Sequence, residues 1–225
     1  MNPGQFHSQV TASWRFLRIL AIASERIVRP PAVPNPASRY RTMPYAQVWE
    51  DCYRNQFYDI SLVDGALLQF RAPSFRPLSI GYSFYECPYL TVAYEDFLKE
   101  VLDATYEDVG DEFRREYEDY VLGLPKKDAV TPIRYDYDPP RYIPGVHPAS
   151  HIHFGAASRV RVSARRLLSP LSFTLFIVRH CYPESWSRFI VTRHAPRWCQ
   201  YVRDMLDPVD AAFISPLDAW HMALE

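Results

Sequence analysis

Between Phe57 and Cys87, two β-prone runs, Phe57-Tyr-Asp-Ile-Ser-Leu62 and Ala66-Leu-Leu-Gln-Phe70, flank an Asp64-Gly65 pair. A third run, Leu78 to Cys87, is rich in aromatics and closes at Pro88. An Asp-Gly pair between such runs is a strong hairpin signal, because glycine supplies the positive φ that a tight turn requires. Parallel neighbours need a long crossover, so three strands joined by short connections predict an antiparallel meander. The chain as a whole is stiff: it carries 20 Pro against 7 Gly, and 15% of its residues are aromatic.

The period then changes. Phe97, Leu98, Val101 and Leu102, and later Phe113, Tyr117, Tyr120 and Val121, fall at helical spacing, with Gly110 dividing the stretch from Tyr94 to Leu122. Its many carboxylates, Glu95, Asp96, Glu100, Asp103, Glu107, Asp108, Asp111 and Glu112, read as a solvated face that repels polyanions. Thr131 to Asp138 reads as a strand ended by Pro139 and Pro140, and Ser158 to Arg166 as a basic alternating run. Leu171 to Tyr182 is the most apolar segment; Ser169-Pro170 ahead of it, a cap followed by a first-turn proline, predicts a buried helix. Arg179-His180 at its end suits the negative pole of the helix dipole. Further helices are expected around Trp186, Phe189, Trp198, Tyr201 and Leu206.

Near the start, Val10, Trp14, Leu17, Leu20, Ala21 and Ile27 share a helical face, predicting a helix over residues 6–28. Pro30, Pro31, Pro34 and Pro36 then forbid regular structure, giving an extended linker. Met43, just after it, offers an alternative translation start. The expected organisation is an N-terminal helix (1–28), a Pro-rich linker (29–44) and a main domain (45–225). The expected fold is α+β: an antiparallel sheet of about five strands, covered on one face by helices from the Leu171 region and the C-terminus. The N-terminal helix would be an appendage on its tether.

Lys and Arg total 25 against 26 Asp and Glu, so no global field advertises a nucleic acid. Cys52, Cys87, Cys181 and Cys199 form no C-x-x-C pair, which argues against a structural zinc site and fits a reducing interior. Arg15, Arg18, Glu25 and Arg26 interrupt the first apolar stretch, so it reads neither as a membrane span nor as a signal peptide, and a cytoplasmic protein is expected. P-loop, G-x-G-x-x-G, G-x-S-x-G and H-E-x-x-H motifs are missing, so the common nucleotide, redox and hydrolase classes lose support.

One constellation remains. Arg134, Asp136, Asp138, Arg141, His147, His151 and His153 lie within twenty residues and include three of the seven histidines. In an extended chain, residues two apart share a face, so His151 and His153 project together, opposite Ile152 and Phe154. Arg134, Asp136 and Asp138 likewise lie opposite Ile133, Tyr135 and Tyr137, and pairing of the two strands would make the polar faces coincide. Such a patch suits three roles. It can bind a divalent metal through His151, His153 and Asp136 or Asp138. It can cleave RNA without metal, imidazoles moving protons while Arg134 stabilises phosphorane charge. Or it can be structural, with Asp136 fixing a histidine tautomer and Arg134 pairing with Asp138. Arg159, Arg161 and Arg165 are candidate phosphate contacts. Tyr82, Tyr85 and Tyr89 read as core packing rather than base-stacking platforms.

In order, Tyr58-Asp-Ile-Ser-Leu-Val-Asp-Gly-Ala-Leu-Leu-Gln-Phe70, Arg134-Tyr-Asp-Tyr-Asp138, His147-Pro-Ala-Ser-His-Ile-His153, Leu168-Ser-Pro-Leu-Ser-Phe173 and Cys181-Tyr-Pro183 resemble an uncharacterised bacterial family, number 2290 of the domains of unknown function, over roughly residues 45–189. A looser likeness is to TumE-type toxins, in which a D-G strand, a tyrosine-rich strand, an R-Y-D strand and an H-x-H segment follow one another. Asp64-Gly65, Tyr82 to Tyr85, Arg134 to Asp136 and His151 to His153 stand in those places; the acidic segment from Glu95 to Leu122 and the long termini are departures. The likeness implies a toxin or defence role, with RNA as substrate and an antitoxin or defence subunit as partner. The second expectation is a non-catalytic subunit that uses the N-terminal helix and linker as a docking arm.

Overall fold

The computed structural model describes residues 1–28, 30–32, 39–40, 42–156 and 160–217. Pro34, Pro36 and Ser38 of the expected linker lie outside the described residues, as does Arg159. The elements in chain order are α1 (Pro3–Ile19), β1 (Ala23–Arg26), α2 (Tyr45–Arg54), β2 (Ile60–Leu62), β3 (Leu67–Phe75), β4 (Leu78–Tyr85), α3 (Tyr94–Leu102), α4 (Tyr106–Val109), α5 (Arg114–Gly123), β5 (Ile133–Tyr137), β6 (Ser150–Phe154), β7 (Val160–Ser163), α6 (Pro170–Cys181), α7 (Pro183–Ile190) and α8 (Ala195–Asp204). The strands follow one another as a seven-stranded sheet in the order β1 to β7. Antiparallel registers join β1–β2, β2–β3, β4–β5, β5–β6 and β6–β7. The fold is α+β as expected, with seven strands in the sheet rather than about five.

The chain forms two compact units. One comprises Met1–Ala21, Gln69–Phe84 and Pro132–Glu225; the other comprises Ile22–Leu68 and Tyr85–Thr131.

In the first unit α6 forms where the apolar run and its cap predict it. The Ser169 hydroxyl accepts from the Ser172 amide while the Ser172 side chain accepts from the Ser169 amide, satisfying two of the donors that a helix start leaves open. Leu171, Phe173, Ile177 and Val178 are fully buried, each contributing on the order of 1.5–3 kcal/mol by leaving water. Phe173 meets the rings of Phe70 and Tyr82, so α6 covers one face of the sheet. On β5, Ile133, Tyr135 and Tyr137 point to that buried face, and the Tyr135 hydroxyl accepts from the Leu168 amide at 3.1 Å.

The N-terminal helix is not an appendage. Asn2 and Gln5 close a capping box at its start, and Phe6, Val10, Phe16 and Leu17 are buried. Phe16 meets Phe189 of α7 and Trp198 of α8, and the Ser169 hydroxyl donates to Gln9. The apolar face that motivated a docking arm is thus occupied within its own unit. The helix also ends earlier than expected: Ala21 takes a left-handed φ of 55°, and Ala23 to Arg26 pair with β2 instead. Ala21 and Ile27 fit the helical period, but strand pairing satisfies the backbone beyond Leu20.

The second unit holds the Asp64-Gly65 turn, where Gly65 has φ +77° and a Cβ would come within 3.1 Å of Cys87 Sγ. Trp49, Cys52, Leu67, Cys87, Phe97 and Leu98 form its core. Buried tyrosines there have their polar ends satisfied. Tyr117 donates to the Val92 carbonyl at 2.7 Å, and Tyr94 bridges the Gly110 carbonyl and the Phe113 amide. The acidic segment forms three short helices, α3 to α5, broken at Asp103 and Gly110, both at positive φ. Among the described residues no helix is long and apolar enough to cross a membrane.

Candidate functional site

The site is built on β4 to β7 of the first unit. The registers align Ser83, Arg134, His153 and Arg161 in one cross-strand row, and Gly81, Asp136, His151 and Ser163 in the next. Directly opposed residues of an antiparallel pair share a face, so these two rows form one polar patch. Alternate positions carry Tyr82, Tyr135 and Ile152 to the other face, where all three are buried.

The patch is not a solvated surface. His151 is 1% exposed and His153 2% exposed, and their Nε2 atoms lie 3.0 Å apart. Asp136 Oδ2 sits 3.4 Å from His153 Nε2 and 4.0 Å from His151 Nε2. The Asp136 carboxylate also accepts from Arg134 Nε at 2.7 Å. His151 Nδ1 lies 2.7 Å from the Pro148 carbonyl, which can only accept, so Nδ1 carries the proton and Nε2 presents a lone pair. Gly81, opposite Asp136, makes room for this arrangement: a Cβ there would stand 3.2 Å from Asp136 Oδ1.

The electrostatics follow from burial. Desolvation draws the His151 imidazole down from 6.5 to about 4, helped by His153 and opposed by Asp136 and the Pro148 hydrogen bond. It is neutral at neutral pH. Burial pushes the Asp136 carboxyl up, but the His153 hydrogen bond, Arg134 and the two imidazoles outweigh it and hold it at about 2. His147 stacks edge-on against His151 with centroids 4.9 Å apart, its Nδ1 buried with no hydrogen-bond partner among the described residues. Burial and the Arg161 charge lower its pKa.

Arg134, Asp136, His147, His151 and His153 are therefore brought together, and Arg161 joins them through its register with His153. Asp138 lies outside the two rows, although its charge acts on His147: it pairs with Arg141 at 3.3 Å, and Arg134 pairs with Asp136 rather than with Asp138. The strand ends at Tyr137, so the same-face alternation stops before Asp138. Arg165 lies beyond the end of β7, exposed, outside the two rows. Gly81 and Ser163 complete the rows and carry no sequence signal of their own, because only the register of four strands assembles them.

A cleft of about 440 Å³ lies in the other unit and includes Glu25, Tyr53, Tyr94, Arg114 and Glu118. Arg114 lies 3.8 Å over the Tyr94 ring and pairs with Asp111 at 2.8 Å.

The family model described as "Uncharacterized conserved protein (DUF2290)" matches residues 22–213. The chain belongs to this family. No curated protein and no solved structure matches it. The DUF2290 match is wider than the expected stretch of 45–189 at both ends, taking in β1 and α8 as well as the whole histidine cluster.

Proposed function

We propose that this DUF2290 chain is a nuclease acting on RNA, working as the toxin-like component of a bacterial toxin-antitoxin or phage-defence system. One observation carries the chemistry: two cross-strand rows concentrate two imidazoles, one ionised carboxylate and the guanidinium groups of Arg134 and Arg161 on a single sheet face. Phosphodiester cleavage needs that combination, a base to take the nucleophile's proton and fixed positive charge where the phosphorane develops. Arg134 and Asp136 keep part of their side chains exposed, whereas the imidazoles lie behind them. Substrate would meet the Arg134–Asp136 edge. A neutral His151 suits a base and not an acid, so a mechanism that shares acid and base work between two free imidazoles fits poorly. The toxin role rests on the TumE-like order of strands and histidines.

The test compares the wild type with the His151→Ala/His153→Ala double variant in cells. Growth inhibition and RNA breakdown should occur with the wild type and fall by about 10²–10⁴-fold in the variant. An Asp136→Asn variant, altered at the partly exposed edge, should fall similarly while staying folded, with its melting temperature lowered by the lost carboxylate. Equal RNA integrity with and without the wild-type protein would overturn the reading.

A further inference from the structure

The arrangement of three donor atoms decides among the roles the cluster can play. His151 Nε2, His153 Nε2 and a carboxylate oxygen of Asp136 converge, each from a different position in two paired strands, and can all be counted as ligands of one ion. Their separations are 3.0, 3.4 and 4.0 Å. A zinc ion about 2.0–2.1 Å from its imidazole nitrogens in tetrahedral geometry spaces neighbouring donors about 3.3 Å apart. The observed triangle brackets that value, and only the Asp136–His151 edge has to shorten.

Proton accounting points the same way. His151 holds its proton at Nδ1, on the Pro148 carbonyl. The one proton on His153 Nε2 then faces two acceptors, His151 Nε2 at 3.0 Å and Asp136 Oδ2 at 3.4 Å, the second of which also accepts from Arg134 Nε. A cation in its place satisfies all three donors at once. The surroundings match what metal-binding histidines need: a carbonyl fixes the tautomer of His151, and Arg134 orients the carboxylate. Two histidines and one carboxylate form a borderline donor set, suited to zinc and also to manganese or iron.

We propose that His151, His153 and Asp136 bind a single divalent transition-metal ion, zinc by preference, with Arg134 as a positioning residue for the Asp136 carboxylate. This deepens the nuclease reading and rests on the same side chains. On binding, the proton of His153 moves from Nε2 to Nδ1, and the metal completes its coordination from the side where Asp136 is partly exposed. The ion would then be a Lewis acid beside Arg134 and Arg161, where a phosphate is expected to lie.

The experiment is a titration of chelator-treated, full-length protein with Zn²⁺ and, separately, with Co²⁺, followed by calorimetry and by the cobalt ligand-field spectrum. Saturable binding of about one ion per chain is expected, with cobalt bands typical of a low-coordinate nitrogen and oxygen site. Asp136→Asn should weaken zinc at least 10-fold, His151→Gln/His153→Gln should abolish saturable binding, and Arg134→Gln should weaken it less than Asp136→Asn. Melting curves establish that each variant is folded, and Asp136→Asn keeps the test valid should the double variant unfold. Failure of the wild type to bind either ion, or equal binding by folded Asp136→Asn, would overturn the site. RNA assays on the same samples separate the two readings: a metal-binding protein that leaves RNA intact keeps the site and sinks the nuclease, while RNA cleavage by wild type that binds no metal does the reverse.

Discussion

The two faces of β5 and β6 are buried to nearly the same depth by opposite means. Tyr135 and Ile152 are 0% exposed on one face, and His151 and His153 are 1% and 2% exposed on the other. The first face needs no explanation beyond the aromatic layer of Phe70, Tyr82 and Phe173, whose burial supplies its own driving force. The second buries two imidazoles beside an ionised carboxylate, which costs free energy unless every lone pair and proton is satisfied. Equal burial with unequal cost is what motivates placing the proposed chemistry on the polar face.

The largest expected effect is on the apolar face. Phe173→Ala should destabilise the protein by about 3–5 kcal/mol in denaturant unfolding, since the ring is fully buried between Phe70 and Tyr82. The tautomer of His151 should persist in whatever fraction stays folded.

Acid should single out the other face. The folded-state pKa of His151 is about 4 against 6.5 for a free imidazole, so the unfolded chain takes up its proton first. Stability of the metal-free protein should therefore fall as pH drops from about 6.5 to about 4. Asp136, held at about 2 against 3.8, adds a second loss as pH falls below 3.8, because the unfolded carboxylate is again protonated first. Urea unfolding across this range should show both losses in the wild type. In His151→Gln the upper loss should shrink to the share of the other imidazoles that burial holds down, His147 and His180; an unchanged profile would mean that His151 is not held neutral.

A subtler break comes from Gly81→Ala. The new methyl would meet Asp136 Oδ1 at 3.2 Å and push the carboxylate by a few tenths of an ångström. Zinc affinity should drop several-fold while the melting temperature changes little. Smallest is Arg161→Gln, at an exposed position of β7. Stability should stay within about 0.5 kcal/mol, whereas RNA affinity and its salt dependence should both decline, the log–log slope by about one.

Much of the polar patch was legible because a strand's period of two is local: Arg134 with Asp136, and His151 with His153, share a face whatever the rest of the chain does. The register between these pairs was not legible, since it depends on how the chain from Asp138 to Ala149 closes the hairpin. That register excluded Asp138 and brought in Arg161. Burial of the imidazoles was invisible for a similar reason, because neighbouring strands and Gly81 create it. The helix at Leu171 announced itself by its cap and its apolar run. Strand β1 did not: Ala-Ser-Glu-Arg has no strand-forming pattern, and its partner Ile60–Leu62 lies far along the chain. Read from the sequence, these residues continue the helical period of α1, which makes that helix look like a free arm and the sheet one strand shorter.

The central claim is that His151 turns an Nε2 lone pair, and His153 its Nε2 proton, toward one point beside Asp136, where zinc would take the proton's place. Long-range proton–nitrogen correlation spectra of the histidine rings, recorded near neutral pH with and without one equivalent of Zn²⁺, test it directly. Before zinc is added, His151 should be neutral with its proton on Nδ1. Zinc should then shift Nε2 of both His151 and His153 while the proton of His153 moves to Nδ1. A His151 protonated on Nε2, or Nε2 resonances unmoved by zinc, would contradict it.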